Sequence, residues 1–129
     1  RGHTLGRAYY EGSALPNTAL PGLVGGFAGE RVLRAPCDGE FRGVATIGDH
    51  VEEGQVVAYA GDVPVAATLT GVLRGLIADE VQVRQGLKCG DVDPRDQSGY
   101  CGLVSDKGLA VAGGVLEAIL HVGGTFSAR

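Results

Sequence analysis

The chain has no methionine and no tryptophan, and only four tyrosines and three phenylalanines among its 129 residues. So few aromatic side chains beside 23 glycines do not fit a helix bundle. They predict a β protein with many tight turns and positive-φ positions. Without a methionine, Arg1 is not an initiator, so a fragment or processed product is expected and no targeting signal is readable. Basic charge is also scarce: 11 Lys and Arg stand against 15 Asp and Glu, a net charge of −4. No basic stripe is available to displace counterions, which excludes nucleic acid as an expected partner. No apolar run reaches the roughly 18 residues of a membrane span, so no membrane partner is expected either. Cys37, Cys89 and Cys101 form no C-x-x-C pair. Their odd number and wide spacing predict reduced thiols in the cytoplasm rather than a disulfide framework. A chain of this length is expected to form one domain that buries about two-thirds of its unfolded surface.

What the sequence does have is a repeat. Gly39-Glu40-Phe41-Arg42-Gly43-Val44 returns as Gly71-Val72-Leu73-Arg74-Gly75-Leu76, an offset of 32, and Val51-Glu52-Glu53-Gly54 returns as Val83-Arg84-Gln85-Gly86. Ala35 returns as Ala67. A repeat this short, without a helical period, predicts a small supersecondary unit that buries its apolar face against its own copy. Strands are expected at 31–35, 39–46, 55–60, 64–69, 71–77 and 87–92, with Phe41 inward and Arg42 outward. In the loop Ile47–Gly54, Gly48 and Gly54 permit left-handed backbone, Asp49 can cap a turn amide, and Val51 can plug the core. Gly61-Asp62 is expected to be a tight turn between two strands.

Outside the repeat, residues 1–30 are Gly-rich and Pro-punctuated and predict an extended arm along the domain, with a short strand near Ala8–Tyr10. Leu15, Leu20, Leu23, Val24 and Phe27 favour packing over a free linker. Asp96–Tyr100 is expected to be a polar loop. A helix is expected from Ser105 or Asp106, one of them its N-cap, to about Val122. Gly113-Gly114 inside that helix costs about 1 kcal/mol per glycine against alanine, which predicts a close packing contact or a break. The expected organisation is an arm over 1–30, a barrel-sandwich domain over 31–95, and a loop and helix over 96–129 packed on that domain.

The motifs Ala35-Pro36-x-x-Gly39-x-Phe41 and Gly48-Asp49-x-Val51-x-x-Gly54-Gln55, with their copies, resemble the lipoyl/biotinyl-like barrel-sandwich family over about half of the chain. The resemblance implies a mainly β barrel-sandwich hybrid of two half-barrels. Carriers of that family attach their prosthetic group to a lysine in the central hairpin. Here that hairpin is Gly61-Asp62-Val63-Pro64, and the two lysines, Lys88 and Lys107, lie elsewhere. No covalently bound cofactor is expected, because no amine stands where a swinging arm attaches.

Several groups can carry chemistry. Strand alternation sends Cys89, Asp91 and Asp93 to one surface, with Arg95 just beyond Pro94. That surface is either a ligand or cation site, or a turn in which Arg95 neutralises two carboxylates. Two aspartates and a cysteine without a nearby histidine fall short of the usual ligand counts, so no metal is expected. Ser105-Asp106-Lys107 fits a helix start, whose free amides can hold an anion. Arg42 and Arg74 occupy equivalent positions, and a two-fold between the copies would bring both guanidinium forks to one surface, able to grip a phosphate or carboxylate. The ligand-binding candidates are therefore Arg42, Arg74, Asp91, Asp93, Arg95, Ser105, Asp106 and Lys107. No complete nucleophile set is apparent, and no catalytic residue is assigned.

Read together, the segments Tyr10–Thr18, Glu30–Pro36, Gly71–Gly75, Asp91–Arg95, Ser105–Lys107 and Gly113–Glu117 resemble the YqeB-type accessory proteins of selenium-dependent molybdenum hydroxylases. The resemblance runs over nearly the whole chain and corresponds to the C-terminal portion of the family. It implies a cytoplasmic bacterial maturation factor, with a client molybdenum hydroxylase as partner and the molybdenum cofactor or a selenium species as possible ligand. Full-length relatives carry a Gly-rich, Rossmann-like N-terminal half that is missing here. That half is a further expected partner, and its nucleotide binding does not transfer. Two function classes follow: a ligand- or client-binding module, or part of an enzyme acting on a selenium or molybdopterin intermediate through Asp91, Asp93, Arg95 and Lys107. The absence of histidine near the acidic run, and of any complete nucleophile set, favours the first.

Overall fold

A computed structural model of the chain describes residues 3–16 and 22–124. The chain divides into two compact units, Leu20–Gly102 and Arg1–Ala19 with Leu103–Arg129.

The first unit is a β-sandwich. Its strands are β1 (Val32–Arg34), β2 (Gly39–Gly43), β3 (His50–Val51), β4 (Val56–Ala60), β5 (Val63–Ala66), β6 (Gly71–Leu76), β7 (Gln82–Val83) and β8 (Lys88–Asp93). They form two four-stranded sheets, β1-β8-β6-β3 and β5-β4-β2-β7, with every pairing antiparallel. The sheets do not close into a barrel. The second order is the first one displaced by one repeat, so β1, β8, β6 and β3 correspond to β5, β4, β2 and β7. Each sheet mixes strands from both copies, so neither copy can bury its face without the other.

The repeat extends to single bonds. Gly54 N–H donates to Ala67 O and Gly86 N–H to Ala35 O, both at 2.8 Å. Ala67 N–H donates to Gln55 O at 2.8 Å, and Ala35 N–H to Leu87 O at 2.9 Å. Gly39 and Gly71 have φ of 154° and 158°, and Gly54 and Gly86 have 85° and 81°. At Gly71 a side chain would overlap the Asp93 carbonyl, and at Gly39 a Cβ would lie 2.8 Å from Gly61 N. Both copies therefore need glycine where the chain enters its long strand.

Phe41, Val57, Ala60 and Val65 from one sheet meet Leu33, Leu73, Val51 and Val92 from the other in a single core. Full burial of side chains such as Phe41 and Leu73 is worth about 1.5–3 kcal/mol each. The loop after β2 behaves as its composition predicts: Thr46 N–H donates to the Asp49 carboxylate at 2.8 Å, and Val51 is fully buried. Gly61-Asp62 is the two-residue turn joining β4 to β5, with Ala60 paired to Val63. Val24 and Phe27 form an isolated bridge, and a 3-10 turn at Gly29–Arg31 leads into β1.

The second unit holds one α-helix, α1 (Asp106–Val122), capped by Ser105, whose side chain accepts from Gly108 N–H at 3.1 Å. The helix is unbroken at Gly113-Gly114. Gly114 lies against the Gly6 carbonyl, where any Cβ would collide with it, while a Cβ on Gly113 would meet nothing within 4 Å. Close packing, not a break, explains the second glycine. Ala8–Tyr10 is not a strand; Tyr10 instead donates to Glu117 Oε1 at 3.1 Å and sets its ring 4.1 Å from that of His121. Leu20 of the expected arm and the tail beyond Gly124 lie outside the described residues. Among the described residues no helix is long and apolar enough to cross a membrane.

Candidate functional site

β8 is the central ionic strand of the sandwich. Strict alternation would put Cys89 beside Asp91 and Asp93, but β8 carries a bulge: Leu33 pairs with Gly90 and Arg34 with Lys88, which leaves Cys89 as the extra residue. A bulge of this kind shifts the phase of the strand. Cys89 turns into the core at 2% exposure, where burial pushes its thiol pKa up. The expected Cys89–Asp91–Asp93 surface is thereby reduced to the two aspartates. Among the described residues there is no group of three or more His, Cys, Asp or Glu able to hold a metal ion.

Each aspartate is clasped by two cations. Asp91 accepts from Arg31 Nη2 at 2.6 Å through Oδ2 and from Lys88 Nζ at 3.3 Å through Oδ1. Asp93 Oδ2 accepts from Arg95 Nη2 at 2.6 Å and Arg74 Nη1 at 3.1 Å. Its Oδ1 accepts from Arg95 Nε at 2.9 Å and from the Arg95 backbone N–H at 3.0 Å. The Arg95 side-chain hydrogen bonds, joined by its backbone N–H, its charge and Arg74, hold the Asp93 carboxyl well below the usual carboxylate range against the opposing effect of burial. Tyr100 braces the pair: its ring lies 4.6 Å beneath the Arg95 guanidinium, and its carbonyl accepts from Arg74 Nη2 at 3.4 Å.

Sequence reasoning found four members of this cluster, Arg74, Asp91, Asp93 and Arg95. It missed Arg31, Lys88 and Tyr100. Arg31 is 8% exposed and also donates to Val92 O at 3.3 Å. It reaches Asp91 only through the β1–β8 pairing, a long-range contact with no local sequence signal. Lys88 had one, its i,i+3 spacing from Asp91.

The shared Arg42–Arg74 surface is not formed. Arg42 lies on β2, in the other sheet, beside the core residue Phe41, with its guanidinium 4.7 Å over the Tyr59 ring. Tyr59 is the repeat counterpart of Asp91, so the two copies have kept the arginine and changed its surroundings. Ser105, Asp106 and Lys107 belong to the helical unit, where Ser105 serves as the cap. That unit has its own polar group, Tyr10, Glu117 and His121, on a groove of about 710 Å³. The i,i+4 spacing of Glu117 and His121 on one helix face was its only legible sequence signal.

No protein-family model matches the chain. The Escherichia coli (strain K12) protein YqeB, whose function is uncharacterized, is 46% identical over 120 residues, covering 93% of this chain and 22% of its own length. The sequence is YqeB-like. The likeness to YqeB read from its motifs is thereby borne out, and the chain spans about a fifth of the length of that relative. Among solved structures, an aspartoacylase family protein from Mesorhizobium loti is 17% identical, covers 49% of this chain and 22% of that one, and superposes with a TM-score of 0.45. A likeness at that level carries no functional meaning.

The chemistry of the β8 cluster in this YqeB-like chain follows from its charge count. Four cationic groups, Arg31, Lys88, Arg74 and Arg95, surround two carboxylates, a local surplus of two positive charges in a chain of net charge −4. A carboxylate held ionised, as Asp93 is, is a poor proton carrier near neutral pH. The Arg74 and Arg95 side chains, 25% and 40% exposed, present positive charge to solvent.

Proposed function

We propose that the chain is a binding module of a maturation factor for selenium-dependent molybdenum hydroxylases, holding an anionic ligand or the client enzyme without a swinging-arm lysine. The observation that supports this reading is the clasped pair Asp91 and Asp93. Their partners fix them as charge anchors, and the Arg74 and Arg95 side chains, whose donors turn onto Asp93 and the Tyr100 carbonyl, stay 25% and 40% exposed. Such a patch of surplus positive charge suits phosphate- or selenophosphate-type oxyanions, including the phosphate of a pterin cofactor. The ligand is bound non-covalently, as a selenium species or the molybdenum cofactor. The client hydroxylase and a Rossmann-like N-terminal half are the protein partners in this reading, which sits in the cytoplasm.

The test is calorimetric titration of the chain with selenophosphate, a phosphorylated pterin and inorganic phosphate. Charge-assisted hydrogen bonds are worth about 1.5–3 kcal/mol each, so Arg74→Ala and Arg95→Ala should each weaken binding on the order of 10-fold or more. Arg42→Ala, on the other sheet, should leave it unchanged. Equal affinity in all three variants, with melting curves showing them folded, would remove the β8 cluster as the site.

A further inference from the structure

No histidine stands near the acidic run of β8 in sequence, but the fold brings one there. His50 Nδ1 lies 2.7 Å from Asp96 Oδ1, 46 positions away. His50 opens β3 and pairs with Val72 of β6, which pairs in turn with Asp93 of β8. Their chain neighbours Val51, Leu73 and Val92 are fully buried in the core. His50, Val72 and Asp93 therefore share the opposite, outer face of the sheet. Two strand spacings, about 10 Å, separate the backbones of His50 and Asp93, and Arg74 stands on the strand between them. Asp96 directly follows Arg95. Its N–H donates to Asp93 O at 3.3 Å and its φ is 54°, a turn that carries its carboxylate from β8 toward β3. Aspartate is one of the few residues that enters this left-handed region readily. The His50–Asp96 pair thus borders the Arg74–Arg95 patch.

The hydrogen bond fixes the state of the ring. An ionised carboxylate only accepts, so Nδ1 carries the proton, and a neutral imidazole is left with an unprotonated Nε2. Among the described residues Nε2 has no hydrogen-bond partner, and both side chains are half exposed. Surplus positive charge attracts any small anion. A fixed lone pair at its border is more selective: it repels a bare oxygen and accepts from a hydroxyl.

We infer that His50, positioned by Asp96, makes the β8 site selective for free tetrahedral oxyanions that keep a hydroxyl, such as hydrogen phosphate. This deepens the anion-binding reading of the β8 cluster and rests on it. Hydrogen phosphate can set charged oxygens toward Arg74 and Arg95 and donate its hydroxyl to Nε2. Sulfate has the same shape and charge but no proton to donate. A phosphate monoester, with a second pKa of about 6, has also lost its proton at about pH 8. The site therefore takes the free ion over an esterified one.

The test is calorimetric titration of the full chain at about pH 8 with inorganic phosphate, sulfate and glycerol phosphate. Phosphate should bind on the order of 10-fold tighter than the other two. In His50→Ala it should fall to their level, with sulfate affinity unchanged. Asp96→Gly suits the left-handed backbone and removes the carboxylate, so it should narrow the preference while keeping the ring. Nitrogen NMR of the wild type gives a readout that a merely structural histidine would not move: the His50 Nε2 resonance should shift with phosphate and not with sulfate. Equal affinity for the three anions, a phosphate preference that survives His50→Ala, or an Nε2 resonance unmoved at saturating phosphate overturns the inference. If Arg74→Ala still weakens all three anions in those cases, the β8 anion site itself stands. A wild-type chain that binds none of them overturns both.

Discussion

Replacing Asp93 with alanine removes a carboxylate that is 1% exposed and accepts four hydrogen bonds from Arg74 and Arg95. Breaking a buried ion pair from one side costs about 3–5 kcal/mol. Here the abandoned partners keep 25% and 40% of their side chains in solvent, so they rehydrate, and the expected loss is about 2–3 kcal/mol. For a domain of this size each kcal/mol moves Tm by about 4–8 °C, so the variant should melt some 10–20 °C lower. Asp93→Asn keeps an acceptor for the Arg95 N–H but not the charge, and should lose about half as much. The pH dependence fixes the cause. The folded carboxyl titrates below its unfolded value of about 3.9, so the stabilisation is fully present above that value. It is lost as pH falls through the unfolded and then the folded pKa, at up to about 1.4 kcal/mol per unit. The gap between wild type and Asp93→Asn, measured by denaturant titration, should therefore be flat from pH 8 to 5 and shrink below pH 4. An Asp93→Ala variant that melts within about 2 °C of wild type, or a gap as wide at pH 2.5 as at pH 7, would refute the reasoning.

The adjacent glycines of α1 should respond in opposite directions. Gly113→Ala meets open space and should stabilise the helix by up to about 1 kcal/mol, while Gly114→Ala should release residues 3–16 from the helix, visible as new proteolysis near Gly6. Gly71→Ala, which must displace the Asp93 carbonyl from a positive-φ position, should cost about 3 kcal/mol or more by thermal melt; a near-neutral result would mean that β6 can enter the sheet another way. Co-expression with lipoyl and biotinyl ligases should leave the intact mass unchanged, since the Gly61-Asp62 turn offers no amine, and an adduct on Lys88 or Lys107 would contradict this.

The sequence by itself determined the sandwich. Glycines at 39 and 71 and at 54 and 86, with Phe41 matched by Leu73, mark turns and core positions whose conformations depend on local sterics and side-chain period. Such features can be read one residue at a time, as can the Ser105 cap and the helix it starts. Only the tertiary structure decided which charges meet. The Cys89 bulge depends on the register between β1 and β8, and Arg31 reaches Asp91 across 60 positions of sequence. The repeat made Arg42 and Arg74 look like a pair, yet each copy contributes strands to both sheets, so the equivalent arginines went to different sheets. Local propensity sets how a strand begins and ends. Ion pairing follows the distances between strands, and those exist only once both sheets have closed on their common core.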